Sequence, residues 1–273
     1  MPILILASAV ILLVAFIGTQ PLFIERRRGW IRWQSFPQEW QRILSQRVPY
    51  FQQLPTELQR QLQQHIQVFI AEKPLIGCAG LVVNDEMRVT IAAQACLLLL
   101  NNSQAACFEG LRQVLLYPGA FVVERPHTDG AGVLRDQRLA LAGESWSQGQ
   151  VILSWEDVVA GAADVGDGRN VVIHEFAHQL DQESGPANGA PRLPDRRLYR
   201  TWSAVFSEEF RRLQVQVQAQ LPTLLGDYAA TSPAEFFAVA SEVFFEQPHQ
   251  RLAEHPALYA QLRGFYRIDP LSW

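Results

Sequence analysis

Several features of secreted or nucleic-acid-binding proteins are missing from this sequence of 273 residues. It has three cysteines, Cys78, Cys96 and Cys107, which is an odd number, and they show no CxxC spacing. A disulfide framework and a cysteine-based zinc site are therefore not expected, and free thiols suit a reducing compartment. An excess of positive charge is also missing, since Lys and Arg number 23 against 27 Asp and Glu. Nucleic acid is therefore not an expected partner.

The composition is that of a folded protein. Hydrophobic residues make up 48% of the sequence, which excludes a disordered chain. The length is enough for one large domain or two small ones.

No charged residue occurs in residues 2–24, and residues 3–17 are almost wholly apolar. An uncharged stretch of this length can cross a bilayer as a helix. A cleaved signal peptide would need a basic start and a cleavage site, and neither is present. A buried core helix would not lie at the terminus beside a run of arginines. We therefore expect a transmembrane helix here.

The charges after this stretch predict its orientation. Four arginines lie between positions 26 and 32, against the single acidic residue Glu25. Basic residues flank membrane helices on the cytoplasmic side, so the rest of the chain is expected in the cytoplasm. Trp30 and Trp33 lie where interfacial aromatic residues are typical. The chain is thus divided into an anchor with its basic flank, residues 1–28, and a folded domain, residues 29–273.

Strand patterns occur in the first half of the folded domain and helix patterns in the second. This distribution predicts an α+β fold that is mostly helical, with a small sheet. Residues 127–149 are polar and glycine-rich, which predicts loop and short strands. Strands are predicted at 81–83, 114–117, 121–123 and 150–155, with the turn Pro118-Gly119 joining the second and third, and helices within 37–73 and at 87–100, 156–163, 170–182, 195–220, 233–246 and 256–265.

One helix carries the pattern HExxH. His174 and His178 are four positions apart, so on a helix they lie on one face and can bind the same tetrahedral zinc. Glu175 is rotated by one residue and can act as a general base on the attacking water. The composition predicts about 0.01 chance matches to this pattern.

Zinc needs a third protein ligand, and spacing alone does not identify it. The third histidine of the HExxHxxGxxH arrangement is absent, which leaves a glutamate from a later helix. Glu235, Glu242 and Glu246 are available, and the first two are seven apart and share a face. Glu235 also fits a capping box that begins at Ser232. Glu242 fits equally well as a residue that hydrogen-bonds to one of the metal-binding side chains or as a buried ion-pair partner.

Asp181 follows the HExxH pattern on the same helix face. It can accept a hydrogen bond from a ligand imidazole. The alternative is a solvated carboxylate at the helix end. The other histidines, His65, His127, His249 and His255, are expected to lie outside the site.

The sequence resembles the Mlc titration factor A family of bacterial zinc peptidases, also called glucose-regulated metallopeptidases. The likeness covers about residues 36–270 and leaves out the N-terminal apolar stretch. It rests on segments 116–123, 149–155, 172–181, 188–189, 227–245 and 265–270.

The resemblance implies a zincin-like metallopeptidase domain that binds one Zn²⁺ per chain. It places the third ligand at Glu235, in the Pro-Ala-Glu motif, and it points to Tyr228 as a group that stabilises the oxyanion. The implied activity is hydrolysis of a peptide or protein substrate, with aminopeptidase action as one form and a link to sugar uptake. By analogy with zincins, the strand at 151–155 is expected to line the cleft and pair with the substrate.

Two rival functions remain at this point. The protein could be a zinc-stabilised binding protein that sequesters a transcription repressor of the Mlc type, or a membrane-tethered adaptor. An intact Glu175 argues against the first, because a purely structural zinc site needs no base. The expected location is the bacterial inner membrane, single-pass, with the catalytic domain in the cytoplasm.

Overall fold

The computed structural model describes residues 2–101, 107–128, 134–141, 143–146 and 149–273. Within these ranges the chain is mostly helical with a small sheet, as predicted. The helices are α1 (Pro2–Trp33), α2 (Gln38–Arg47), α3 (Tyr50–Gln53), α4 (Thr56–Glu72), α5 (Asp85–Leu97), α6 (Trp155–Ala163), α7 (Val171–Asp181), α8 (Leu198–Gln218), α9 (Pro233–Glu246), α10 (Pro248–Glu254) and α11 (Pro256–Tyr266). The strands are β1 (Leu75–Gly77), β2 (Gln113–Tyr117), β3 (Phe121–Thr128), β4 (Leu134–Leu141), β5 (Gly143–Trp146) and β6 (Gln150–Ser154).

The main sheet has four strands in the order β1-β2-β6-β5. Strands β1, β2 and β6 run parallel, and β5 is antiparallel to β6. Strands β3 and β4 form a separate antiparallel pair. The predicted strands at 114–117 and 121–123 are both present and are connected through Pro118-Gly119, but they belong to different sheets and do not pair with each other. Val114 and Leu116 of β2 are fully buried, and β2 obtains its partners from β1 and β6 instead.

The predicted strand at residues 81–83 is also absent. That segment folds back in a turn in which Leu81 N donates to Cys78 O. Leu81 O comes so close to Gly77 that a Cβ there would be only 1.9 Å away. The short apolar run packs over the end of β1 rather than joining the sheet.

Strand β6 lies inside the sheet, which corrects the expectation that residues 151–155 pair with a substrate. Its register places Val151 opposite Val114 on one side and opposite Ser145 on the other. Both backbone edges of β6 are therefore occupied. Among the described residues, β5 is the strand at that end of the sheet.

Helix α5 runs through the core and supports the helices around the site. Residues 87 and 89–97 of this helix are buried, and Asn84 Oδ1 accepts from Met87 N at 3.0 Å to cap its start. Helices α2, α4, α6 and α7 all pack against it. After its first turn the helix is buried on nearly all sides, so it fixes its neighbours relative to one another.

Helix α1 is continuous through Pro21. Its C-terminal part packs on α4, where the Arg28 guanidinium donates from two nitrogens to the Glu72 carboxylate, both at 2.8 Å. In the part of the chain that the structure describes, no helix combines the length and hydropathy needed to cross a membrane. The predicted transmembrane helix is therefore not supported.

Candidate metal centre

Helix α7 carries the HExxH residues on a buried scaffold. Asn170 Oδ1 accepts from Ile173 N at 3.0 Å and caps the helix. Ile173, Phe176 and Ala177 have no exposed surface, so one side of the helix is held in the core. The imidazoles of His174 and His178 lie one turn apart, with ring centroids 4.8 Å from each other.

The start of helix α9 brings Glu235 to these two histidines. Ser232 Oγ accepts from Glu235 N at 3.2 Å, which is one half of the predicted capping box. The other half does not form, because the Glu235 carboxylate is directed to His174 and His178. Pro233 occupies the first turn, where its missing N–H costs nothing.

Three ligand atoms form a compact triangle. His174 Nε2 is 3.0 Å from Glu235 Oε2, His178 Nε2 is 3.3 Å from the same oxygen, and the two Nε2 atoms are 3.2 Å apart. A tetrahedral zinc with bonds of about 2.0–2.1 Å holds its ligands about 3.3 Å apart. Two imidazole nitrogens and one carboxylate oxygen are a set of ligand atoms that suits zinc. The residues present therefore fit Zn²⁺.

Glu242 holds the far side of the His174 ring. Its Oε1 lies 2.7 Å from His174 Nδ1, and the carboxylate accepts the ring N–H, which leaves Nε2 with its lone pair turned to the triangle. Burial favours a neutral His174, but Glu242 and Glu235 outweigh it and raise the pKa of His174 well above its usual range. The two carboxylates therefore favour a positive charge at the position of the His174 ring. Of the two candidate ligands, Glu235 joins the triangle and Glu242 supports a histidine.

Glu175 is 5% exposed and lies beside the triangle. Burial raises the pKa of Glu175 to about 7, although the two histidines oppose the shift. A base with a pKa near neutrality can accept and return a proton at physiological pH. Among the described residues its Oε2 has no hydrogen-bond partner. Strand β5 approaches it closely: a Cβ on Gly143 would be 2.7 Å from Glu175 Oε1.

Tyr228 lies at the mouth of the site. It belongs to a 3₁₀ turn, Tyr228–Ala230, just before α9. Its ring centroid is 5.9 Å from that of His174, and 58% of its surface is exposed. Tyr228 is therefore not a buried core aromatic.

Asp181 does not match either of the roles predicted for it. It is 1% exposed, so it is not a solvated carboxylate. Its Oδ2 accepts from Gly189 N at 2.7 Å, while its Oδ1 and His178 Nδ1 have no partners among the described residues. Gly189 O in turn accepts from Trp202 Nε1 at 2.9 Å. Asp181 therefore fixes the loop after α7 instead of an imidazole.

Gly189 brings this loop into contact with helix α9, which carries Glu235. Its φ is +77°, and a Cβ there would be 2.4 Å from Pro233 O. Only glycine permits this approach, which brings the loop after α7 against the first turn of α9.

Two further groups near the centre were not identified from the sequence. Gly143 approaches the base, and Asn170 N donates to Glu242 Oε2 at 2.6 Å. The signal for Asn170 was its position as a cap, but nothing local links it to Glu242. His65, His249 and His255 lie on or beside other helices, and the side chain of His127 is outside the described part of β3.

Comparison with known proteins agrees with this geometry. Residues 23–267 match the family described as glucose-regulated metallo-peptidase M90. The chain is 37% identical to the uncharacterised protein slr2042 of Synechocystis sp., over 99% of this chain and 98% of that one. It is 34% identical to Mlc titration factor A of Klebsiella pneumoniae subsp. pneumoniae, over 85% and 87% of the two chains. The corresponding protein of Serratia proteamaculans is 33% identical, over 86% of this chain and 88% of its own. The chain therefore belongs to the glucose-regulated metallopeptidase family M90.

Proposed function

We propose that this protein is a zinc-dependent peptidase, with His174, His178 and Glu235 as the metal ligands and Glu175 as the general base. The observation that carries the proposal is the buried Glu175 beside a triangle of ligand atoms that fits zinc. A carboxylate in that position, with a pKa of about 7, has a catalytic use and no evident structural one.

Different residues have different roles in the proposed reaction. When bound, Zn²⁺ supplies Lewis-acid chemistry, polarising a carbonyl oxygen and making water more acidic. Glu175 takes a proton from the attacking water and gives it to the leaving amine nitrogen. The Tyr228 hydroxyl, which is exposed at the mouth, donates a hydrogen bond to the oxygen that gains negative charge.

Strand β5 is the proposed docking edge for the substrate backbone. It forms the end of the described sheet and approaches Glu175 at Gly143. An extended peptide added there would continue the sheet, and main-chain hydrogen bonds would hold the scissile bond beside the base. This arrangement takes the place of the one expected for residues 151–155.

Hydrolysis assays on the full chain with zinc test the proposal. Aminoacyl chromogenic substrates detect aminopeptidase action, and N-blocked peptides detect cleavage inside a chain. Glu175→Gln should abolish turnover and keep the zinc, while Glu183→Gln, which changes a nearby acidic residue outside the site, should change neither. Turnover that survives in Glu175→Gln with bound zinc would reject the assigned base.

The rival function is capture of a transcription repressor of the Mlc type, which the family resemblance implied. The name of the relatives, Mlc titration factor A, refers to titration of Mlc by those proteins. Such binding makes no use of a buried base at the metal. If it were the function, Glu175→Gln would bind the partner as well as the parent does, and neither protein would cleave a peptide.

We also propose a location at the cytoplasmic face of the inner membrane. On a helix with 100° per residue, Leu22, Phe23, Trp30 and Trp33 of α1 fall within about 100° of one another. All four are well exposed, up to 90% for Trp33, and the exposed Arg26 and Arg27 between them suit anionic headgroups. Flotation of the full chain with phosphatidylglycerol vesicles, and not with phosphatidylcholine, would support this location, and equal recovery with both or neither would reject it.

A further inference from the structure

A line of buried polar contacts leads away from the metal centre. It begins at Glu242, whose Oε1 accepts from His174 Nδ1 at 2.7 Å and whose Oε2 accepts from Asn170 N at 2.6 Å. Both carboxylate oxygens are therefore occupied, and the position of the Asn170 backbone determines where Glu242 can lie. Asn170 is 1% exposed and Glu242 is 7% exposed.

The Asn170 side chain fixes that backbone. Its Oδ1 caps α7, and its Nδ2 lies 3.1 Å from Glu246 Oε1 and 3.3 Å from Gly161 O. The approach on the α6 side is close, because a Cβ on Gly161 would be 3.2 Å from Asn170 Cα. The residue is therefore held from the helix that it begins, from α6 and from α9.

Tyr50 of α3 completes the line. Its hydroxyl donates to Glu246 Oε1 at 2.7 Å, across 196 positions of sequence. Tyr50 is 3% exposed and Glu246 is 6% exposed. The carboxylate thus receives two hydrogen bonds at one oxygen, while its Oε2 has no partner among the described residues.

The proposed peptidase reaction makes no direct use of Tyr50 or Glu246. A buried carboxylate with one unpartnered oxygen costs stability, and such groups persist where they hold something else in place. Residues behind metal ligands do this by fixing the orientation and tautomer of the ligand ring.

We propose that Tyr50 and Glu246 are positioning residues for the metal centre, which act through Asn170 and Glu242 on His174. The inference rests on the proposed function in taking His174 as a zinc ligand. It makes helix α3, in the N-terminal helical region, a part of the zinc site. The effect depends on hydrogen bonds accepted at Glu246 Oε1, so a neutral acceptor of the same shape should preserve it.

Zinc affinity of the full chain, measured by competition with a chromophoric chelator, tests the proposal without reference to activity. Tyr50→Phe and Glu246→Leu should each weaken zinc binding about tenfold, the lower end of the range for groups behind a ligand. Glu246→Gln keeps the acceptor and should stay within about twofold of the parent. Tyr266→Phe is the matched control, since it also removes a buried hydroxyl bond, to Ser241 Oγ at 2.7 Å, outside this line.

The possible results distinguish failure of this inference from failure of the proposed metal site. Weaker zinc binding in Tyr50→Phe, with Tyr266→Phe unchanged, supports the proposal even if Glu246→Leu does not fold. Equal zinc affinity in Tyr50→Phe and the parent overturns it and leaves the peptidase assignment intact. Equal losses in both tyrosine variants overturn it by showing a general effect of destabilisation. A parent chain that binds no zinc would reject the proposed metal site and this inference together.

Discussion

The close approach of strand β5 to the base makes Gly143→Ala the most informative single substitution. The added methyl carbon would lie 2.7 Å from Glu175 Oε1, 2.8 Å from Glu175 Cγ and 2.6 Å from Val171 Cγ2. Favourable contacts between carbon atoms are about 3.5–4.0 Å, so the strand or the carboxylate must move by about 0.7–1 Å.

The size of the effect follows from that movement. A displacement of about 1 Å in a catalytic group costs on the order of 100-fold in rate, equivalent to about 2.7 kcal/mol of activation free energy. Overpacking of this kind lowers the free energy of unfolding by about 1–3 kcal/mol. The ligand triangle is not touched, so zinc affinity should stay the same.

Peptide hydrolysis under single-turnover conditions, zinc content and denaturant unfolding together check this prediction. Gly264→Ala is the control, because it makes the same change in α11, where the new carbon would meet no other part of the protein within 4 Å beyond its own stretch of helix. It should leave the rate unchanged. Full activity in zinc-loaded Gly143→Ala would show that β5 does not approach the base in this way, and the docking edge would lose its support.

Three further predictions concern other parts of the centre. Glu242→Gln should weaken zinc binding about 10–100-fold in chelator competition, because His174 loses its charged acceptor; an unchanged affinity would contradict the contact. Tyr228→Phe should lower kcat about 10²–10³-fold with zinc retained, as loss of one oxyanion donor does, and the exposed site should leave the unfolding midpoint unchanged. Burial raises the pKa of Glu246 from 4.5 to about 7, so the folded state binds this proton more tightly than the unfolded state. Its stabilisation is complete below pH 4.5 and is lost as pH rises through about 7, so the loss measured by urea unfolding should be smaller in Glu246→Gln than in the parent by about 3 kcal/mol, with the contribution of Glu175 remaining in both.

The sequence predicted local features of this site better than its tertiary ones. The spacing of His174 and His178 on one helix face depends only on helix geometry. Helix geometry alone could not decide which of Glu235 and Glu242 is the third ligand, because both lie on one face of α9. Only the way in which α9 approaches α7 shows which of the two carboxylates reaches the histidines. The resemblance to a known family supplied the information that spacing could not.

The order of the strands in the sheet could not be predicted from hydrophobic periodicity, because it also depends on tertiary contacts. Periodicity indicated a strand near residues 150–155 but not that β2 and β5 would lie on either side of it. Gly143 and Tyr50 gave no local signal, since their roles depend on contacts with residues 32 and more positions away in the chain. The turn at Pro118-Gly119 was predicted correctly as a connection, but nothing local showed that β2 would pair with β1 and β6 and not with β3.

The loop around Gly189 has a consequence for how the metal is acquired. Asp181, at the end of α7, and Trp202 of α8 hold this glycine from two sides, and it lies directly against Pro233 at the start of α9. The separation of the two ligand-bearing helices is thus set by covalent chain and hydrogen bonds before any ion arrives. Many small zinc domains fold only when the ion binds. Here a chelator should yield a folded apoprotein with its cleft already shaped, and zinc availability in the cell would control activity without controlling the amount of folded protein.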